Sequence, residues 1–345
     1  MLNDDLNARE KSILRYVVQQ FIVTASPVGS RNITKKYNLG ISPATVRNIM
    51  SDLEESGYIG HPHTSAGRIP TDKGYRMYVD DLMEIQALNS EEKKSINKDL
   101  DTNSIDQTEI LDIATKILSR VTNQLACIVY PKFDAGILQK IQLIYLSSNK
   151  ILIVITIKSG LLKTVTIELD TEISESSIEP VQSLLNEKLS GLKLSEIRLS
   201  FSNRIKESAS EDNPIFRILV ESADKIFSDI RTGEKVAVTG AKNLLLQPEF
   251  EDPLKFHSVV DLIEDKEIIL HIFENSSGLF LAKRKDVNGV SVVIGQELPS
   301  NSGSDYSLVT KEYKVGNVSG TMGVIGPKRM DYSKICLLYT SPSPR

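Results

Sequence analysis

Arg47 and Asn48 stand side by side in the segment Ser42-Pro-Ala-Thr-Val-Arg-Asn48. Arginine can donate two hydrogen bonds to guanine O6 and N7, and asparagine can pair in the same two-pronged way with adenine N6 and N7. Such contacts need a slim helix face, because bulk blocks entry to the major groove. Ser42, Pro43, Ala44 and Thr45 supply small neighbours. Further along, His63-Thr-Ser-Ala-Gly-Arg68 gathers hydroxyls on Thr64 and Ser65, a close-approach glycine at Gly67 and a guanidinium at Arg68. Those groups suit phosphate oxygens or a minor groove.

Positioning them takes a particular series of elements. Leu6, Ile13, Leu14, Val17, Val18, Phe21 and Ile22 recur at helical spacing and predict one amphipathic helix. Pro27 and Gly29 punctuate the turn after it, a short helix covers about 30–37, and Gly40 suits a left-handed turn residue. Ser42 as N-cap and Pro43 at the first position start a third helix. Its apolar face is Val46, Ile49, Met50 and Leu53, and Gly57 closes it. Residues 58–70 have apolar ends around a small-residue tip, as a two-stranded β-wing does, and Thr71 caps a further helix to about residue 85. Three helices followed by a hairpin is the winged-helix plan.

Residues 86–107 are polar and charged and read as a linker with room for a short helix, and a helix over 108–124 follows. Strands are expected at 126–130, 138–146, 151–157 and 165–169, with a hairpin turn at Asn149-Lys150. Residues 174–232 read as helical, and strands return at 236–239, 268–273, 290–294, 308–313 and 319–325. A helical block between two β-rich blocks is the order that an insertion within one α/β domain gives. The strongest apolar run, Ile151-Leu-Ile-Val-Ile-Thr-Ile157, is far too short to span a bilayer and reads as a buried strand.

The chain is slightly acidic, with 41 Lys and Arg against 45 Asp and Glu and a net charge of -4. That excludes a uniformly basic nucleic-acid coat protein but not a basic patch. Between residues 31 and 76 the bases are Arg31, Lys35, Lys36, Arg47, Arg68, Lys73 and Arg76, and the acids are Asp52, Glu54, Glu55 and Asp72. This segment therefore carries an excess of three positive charges, and the acidity lies elsewhere.

Other chemistries are poorly served. His61 and His63 cannot hold a metal by themselves, since a site needs three or four convergent ligands. His257 and His271 are isolated. Residues 316–326 are glycine-rich but lack the Gly-Lys-Ser/Thr ending of a phosphate loop. Cys127 and Cys336 form no Cys-x-x-Cys and no disulfide framework, which fits a reducing cytoplasm. The polar, acidic start Met1-Leu-Asn-Asp-Asp5 lacks the basic-then-apolar pattern of a secretion leader, and none is expected. No enzyme activity, metal or cofactor is expected.

The ordered motifs also carry a resemblance. Pro27-Val-Gly-Ser-Arg31, then Ser42-Pro-Ala-Thr-Val-Arg-Asn48 with Met50 and Leu53-Glu54, then His63-Thr-Ser-Ala-Gly-Arg-Ile-Pro-Thr-Asp-Lys-Gly-Tyr-Arg76 and Tyr78-Val-Asp80 are long and correctly spaced. With them the chain resembles the HrcA family of heat-inducible transcription repressors over about residues 5–335. Gly323-Val-Ile-Gly-Pro327 and Arg329-Met-Asp-Tyr332 are similar to that family's C-terminal motif.

The resemblance implies an α+β multidomain fold. It places a winged helix-turn-helix at 1–85, a linker at 86–107, a GAF-like α/β domain in two parts at 108–165 and 251–335, and an inserted α+β dimerisation domain at 166–250. The implied DNA-binding set is Ser30, Arg31, Ser42, Pro43, Ala44, Thr45, Arg47, Asn48, His63, Thr64, Ser65, Gly67 and Arg68. The implied partners are a second copy of the chain, double-stranded DNA at the inverted-repeat CIRCE operator of chaperone operons, and a GroE-type chaperonin. Diversion of that chaperonin on heat shock would relieve repression. The implied location is the bacterial cytoplasm, at the nucleoid, with no membrane partner. The alternatives are a winged-helix regulator sensing a small molecule through its GAF-like domain, and a protein-interaction module, against which the basic excess argues.

After Ile335 the resemblance implies an amphipathic closing helix. The chain instead reads Cys336-Leu-Leu-Tyr-Thr-Ser-Pro-Ser-Pro-Arg345. Two prolines continue a helix badly, so residues 336–345 are expected to break it and to be a non-native tail.

Overall fold

The computed structural model describes residues 6–62, 67–85, 88–100, 107–206, 214–228, 235–278, 289–298 and 305–340. The N-terminal part follows the expected series. Asn7 starts α1 (Ala8–Thr24) with a capping box: its Oδ1 accepts from the Arg9 and Glu10 N–H groups, and its own N–H donates to Glu10 at 2.8 Å. The predicted stripe Ile13, Leu14, Val17 and Val18 is buried. α2 (Ser30–Tyr37) and α3 (Pro43–Glu55) are joined through Asn38 and Gly40, both at positive φ. β1 (Ile59–Gly60) pairs antiparallel with β2 (Ile69–Pro70). Thr71 caps α4 (Asp72–Met77), which widens into a π-turn over Tyr78–Leu82. The chain is extended at Met83, so this helix stops short of residue 85. The expected linker holds a helix, α5 (Ser90–Leu100), whose Asp99 pairs with Arg120 of α6 (Gln107–Thr122).

Beyond α6 the strands sort into two sheets. β3 (Leu125–Val129) lies in a five-stranded antiparallel sheet, whereas β4 (Leu138–Ser147), β5 (Lys150–Ile157) and β6 (Leu162–Glu168) form a separate antiparallel one. Against the second sheet pack α7 (Ile178–Leu189), α8 (Leu194–Lys206), α9 (Pro214–Glu221) and α10 (Ala223–Phe227), with one apolar core running from Phe133 to Phe227. α7 lies along the β4 edge. The Asn186 and Gln182 side chains accept from the Ile141 and Leu143 N–H groups, each at 2.8 Å. The Asn186 amide also donates to the Ile141 carbonyl.

A division between residues 165 and 166 therefore cuts through β6. It would split β6 between its β5 partners, leaving Val165 with Ile153 but parting Thr166 from Leu152. The change of sheet falls instead between β3 and β4. The chain has returned to the first sheet at β7 (Val236–Thr239), which precedes residue 250 and pairs with β3.

α11 (Ala241–Leu245), α12 (Pro253–Glu264) and α13 (Lys266–Gly278) follow. The strand expected at 268–273 is part of α13. Ile269, Ile272 and Phe273 are buried together at i, i+3 and i+4, a helical spacing that a short apolar run hides. β8 (Val290–Ile294), β9 (Tyr306–Val315) and β10 (Val318–Pro327) complete the sheet in the order β7-β3-β10-β9-β8. α14 (Tyr332–Thr340) is the last element among the described residues. It continues through Cys336, because Ile335, Cys336 and Tyr339 present one buried face, so the expected break at 336 does not occur. Residues 341–345, with both prolines, lie outside the described residues.

Successive side chains on a strand point to opposite faces, and the five-stranded sheet uses both. Leu125, Cys127, Val293, Leu308 and Ile325 join the core under α11–α13. Their neighbours Ala126, Val292, Ile294, Val309 and Val324 join a core shared with α14 and the N-terminal helices, including Leu14, Val17, Met50, Leu53 and Tyr75. Tyr75 and Tyr332 meet with ring centroids 6.1 Å apart. The Tyr332 hydroxyl donates to the Lys328 carbonyl at 2.7 Å and lies 2.8 Å from Ser307 Oγ. No helix among the described residues is long and apolar enough to cross a membrane.

Tyr332→Ala empties the centre of this shared core. It should cost about 3–5 kcal/mol, as deletion of a large buried ring does, measured by denaturant unfolding. A loss below about 1 kcal/mol would contradict the packing described.

Candidate nucleic-acid interface

α3 is built to show one face. Ser42 Oγ accepts from the Thr45 N–H at 3.1 Å and lies 3.0 Å from Thr45 Oγ1, and Pro43 occupies the first turn. Val46, Met50 and Leu53 are buried against α1 and α2. Ser42, Pro43, Ala44, Thr45, Arg47 and Asn48 are exposed. Arg31 is exposed at the start of α2, where Ser30 is half-buried. No hydrogen bond or ion pair within the described residues engages the side chains of Arg31, Arg47 or Asn48. They remain available to an external partner.

The ribbon is tied to the helices more closely than its sequence suggested. Val28 and Arg68 exchange both backbone hydrogen bonds, at 2.8 and 2.9 Å, so the segment before α2 is pinned to β2. A Cβ on Gly67 would lie 2.7 Å from the Val28 carbonyl carbon and 2.8 Å from that of Pro27. The small residue at 67 thus serves chain-to-chain approach inside the protein. Arg68 is half-buried, and its guanidinium meets Glu54 of α3 at 2.7 Å. His61 Nδ1 meets the other oxygen of the same carboxylate. Glu54 thereby clamps both strands of the ribbon to α3. The guanidinium expected to face phosphate is instead committed within the fold. His63, Thr64 and Ser65 lie outside the described residues.

The basic segment also divides by partner. Arg76 faces Asp80 and Glu297 at 3.2 and 2.5 Å. Lys73 lies 4.4 Å from the Tyr58 ring centre and donates to the Ser56 carbonyl. Lys36 donates to Gln20 at 2.6 Å. The bases left open are Arg31, Lys35 and Arg47. Sequence reasoning missed Glu54 as a clamp: it stood in a matched motif, but its partners lie 7 and 14 positions away across a turn that only folding closes.

Burial pushes the Cys336 thiol up to about 12 and the Cys127 thiol further, so neither is a ready thiolate. No group of three or more His, Cys, Asp or Glu that could hold a metal occurs among the described residues.

Residues 108–336 match the family described as HrcA protein C terminal domain. The chain is 41% identical over 334 residues to the heat-inducible transcription repressor HrcA of Prosthecochloris aestuarii, covering 96% of this chain and 94% of that one. It is 40% identical over 341 residues to the protein of the same name from Chlorobium phaeobacteroides, covering 98% and 96%. One crystal structure, of a hypothetical protein at 2.2 Å, has a TM-score of 0.63 at 23% identity and covers 97% of this chain and 95% of that one, a likeness of fold.

Gly67→Ala should destabilise the ribbon by roughly 1–3 kcal/mol, because the new methyl overpacks the backbone of Pro27 and Val28. Denaturant unfolding measures it. A variant as stable as the parent would contradict the close approach.

Proposed function

The chain belongs to the HrcA family of heat-inducible transcription repressors, and from this premise we propose that residues 6–85 are a winged helix that carries α3 into the major groove of an operator. The protein is a negative regulator of heat-inducible transcription and acts by binding, not by catalysis. The carrying observation is α3 itself: capped, buried on one face, with Arg47 and Asn48 exposed and unengaged. In this reading Arg47 and Asn48 contact bases, and Ser42 and Thr45 hold the helix end. Ser30, Arg31, Pro43 and Ala44 line the approach. His63, Thr64 and Ser65 belong to the wing tip. Arg68 and Gly67 shape the wing from behind.

The five-stranded sheet with its helices is the GAF-like domain in this proposal, and the three-stranded sheet with α7–α10 is the dimerising insertion. The outer face of that sheet supports the assignment. Ile144 and Leu146 are exposed on β4 and Leu162 on β6, with Leu152 and Val154 half-buried between them. A dimer would read an inverted repeat, the CIRCE operator upstream of chaperone operons, because two recognition helices then meet two half-sites about one helical turn apart. The proposal keeps the protein in the bacterial cytoplasm, at the nucleoid. A GroE-type chaperonin maintains the folded repressor, and its diversion by heat-damaged proteins lets repression lapse. A fold stable by only about 5–15 kcal/mol loses population quickly on heating, which makes such a circuit workable.

Gel shift with an inverted-repeat duplex tests the reading. Arg47→Ala and Asn48→Ala should each weaken binding by about 1–3 kcal/mol and relax sequence preference. Binding should fall steeply as salt rises. Unchanged affinity in both variants would refute the role of α3. Heat-inactivated protein should regain binding faster with chaperonin and ATP than without, and equal recovery would refute the chaperonin step.

A further inference from the structure

The N-terminal unit is fastened to the five-stranded sheet by polar contacts at two separated places. At the end of α1, Arg329 donates from Nη1 to the Ile22 carbonyl at 2.9 Å. Its other nitrogens grip the Glu249 carboxylate at 2.5 and 3.1 Å and reach Gln247 Oε1 at 2.9 Å. Gln247 is itself held, donating to the Asn123 and Asn243 carbonyls. At α4, Arg76 donates to both oxygens of Glu297, at 3.0 and 2.5 Å, and to the Val292 carbonyl at 2.8 Å. Beside it, Asp72 accepts from Lys328 Nζ at 2.7 Å and from the Gln296 N–H at 3.1 Å.

These contacts are sheltered and forked. The Arg329 and Arg76 side chains are only 13% and 19% exposed. Burial works against the Arg76 charge, but the hydrogen bonds and charges of Glu297 and Asp80 more than offset it and raise its pKa. A two-pronged arginine contact has direction, whereas apolar burial does not. The Arg76–Glu297 fork crosses to α4. The Arg329 fork on Glu249 fixes that guanidinium within the sheet domain, so that its remaining nitrogen donates to the Ile22 carbonyl of α1. Two crossings on different helices restrain rotation of the unit as well as its position. None of them covers the exposed face of α3, so the unit is fixed with its reading face open.

A dimer gains from its second half-site only when both heads are held at the matching separation. We infer that Arg76 and Arg329 are positioning residues for operator recognition: they set the angle at which the sheet carries α3, and hence the half-site spacing that a dimer accepts. This rests on the dimeric operator reading proposed above. Neither arginine contacts DNA, although Arg76 contributes to the basic excess of its segment.

The full-length protein is titrated with a single half-site duplex and with inverted repeats whose spacer changes by one base pair at a time. The parent should show a sharp spacer optimum. Arg76→Ala and Arg329→Ala should keep half-site affinity within about twofold, lose roughly tenfold at the optimum and flatten the spacer profile. Lysine at either position keeps the charge but not the fork and should fall between the two. Glu297→Gln and Glu249→Gln, near-isosteric on the sheet side, should flatten the profile without loss of fold. A profile as sharp as the parent's in the folded variants overturns the positioning role alone. So does an equal loss at the half-site and the repeat, which marks a local folding defect. If the parent binds neither duplex, the operator reading fails and the positioning role falls with it.

Discussion

A five-stranded sheet that is apolar on both faces must be covered on both faces. α11–α13 cover one, under Cys127, Leu308 and Ile325. The other, with Val292, Val309 and Val324, is covered by α6 and α14 and met at β8 by α4, and its apolar residues continue in one cluster into the helices that support the face proposed to read DNA. The rest of the molecule depends on this sharing. Val17 and Leu53 lie in the same core as Val309 and Tyr332, so the N-terminal unit, through α4, is part of the wall on that face of the sheet. It is not a head on a loose tether.

That constraint gives the polar contacts their meaning. Apolar burial holds the wall against the sheet but says little about its orientation. Arg76 and Arg329 supply orientation: Arg76 of α4 meets Glu297 of the sheet domain, and Arg329 of the sheet domain, held by Glu249 beside it, reaches the Ile22 carbonyl of α1. The same constraint bears on heat. When a core is shared, loss of packing around the sheet also removes support from α1 and α3. In the proposed circuit the N-terminal unit then needs no thermometer of its own: it would lose its shape when the whole does, and the proposed chaperonin, by restoring the whole, would restore the face proposed to read DNA.

Much of the N-terminal unit was legible in its sequence because its signals are local. The Ser42 cap, Pro43, the spacing of Val46, Met50 and Leu53 and the turn residues near Gly40 act within a few positions of one another. The exposed pair Arg47 and Asn48 was legible for the same reason. What stayed hidden depends on distant partners. Arg68 looks like a phosphate contact until Glu54 is folded against it, and Arg76 looks like part of a basic surface until Glu297 arrives from 221 positions away. Residues 268–273 are short and apolar enough to suit a strand or a helix, and only the burial of Ile269 with Phe273 decides it. The division placed at 165 came with the family resemblance, whereas the sheets are partitioned by hydrogen-bond pairing. The helix through Cys336 was masked by the prolines that follow it.

Native-state hydrogen exchange tests the shared core most directly. One core predicts that the slowest amides of α1, such as Val17 and Val18, open with the same free energy as those of Val309 and Val324, within about 0.5 kcal/mol, and with the same denaturant dependence. If the α1 and α3 amides exchange through an opening several kcal/mol less costly than that of the sheet, the N-terminal unit is an independent body and the shared core is refuted.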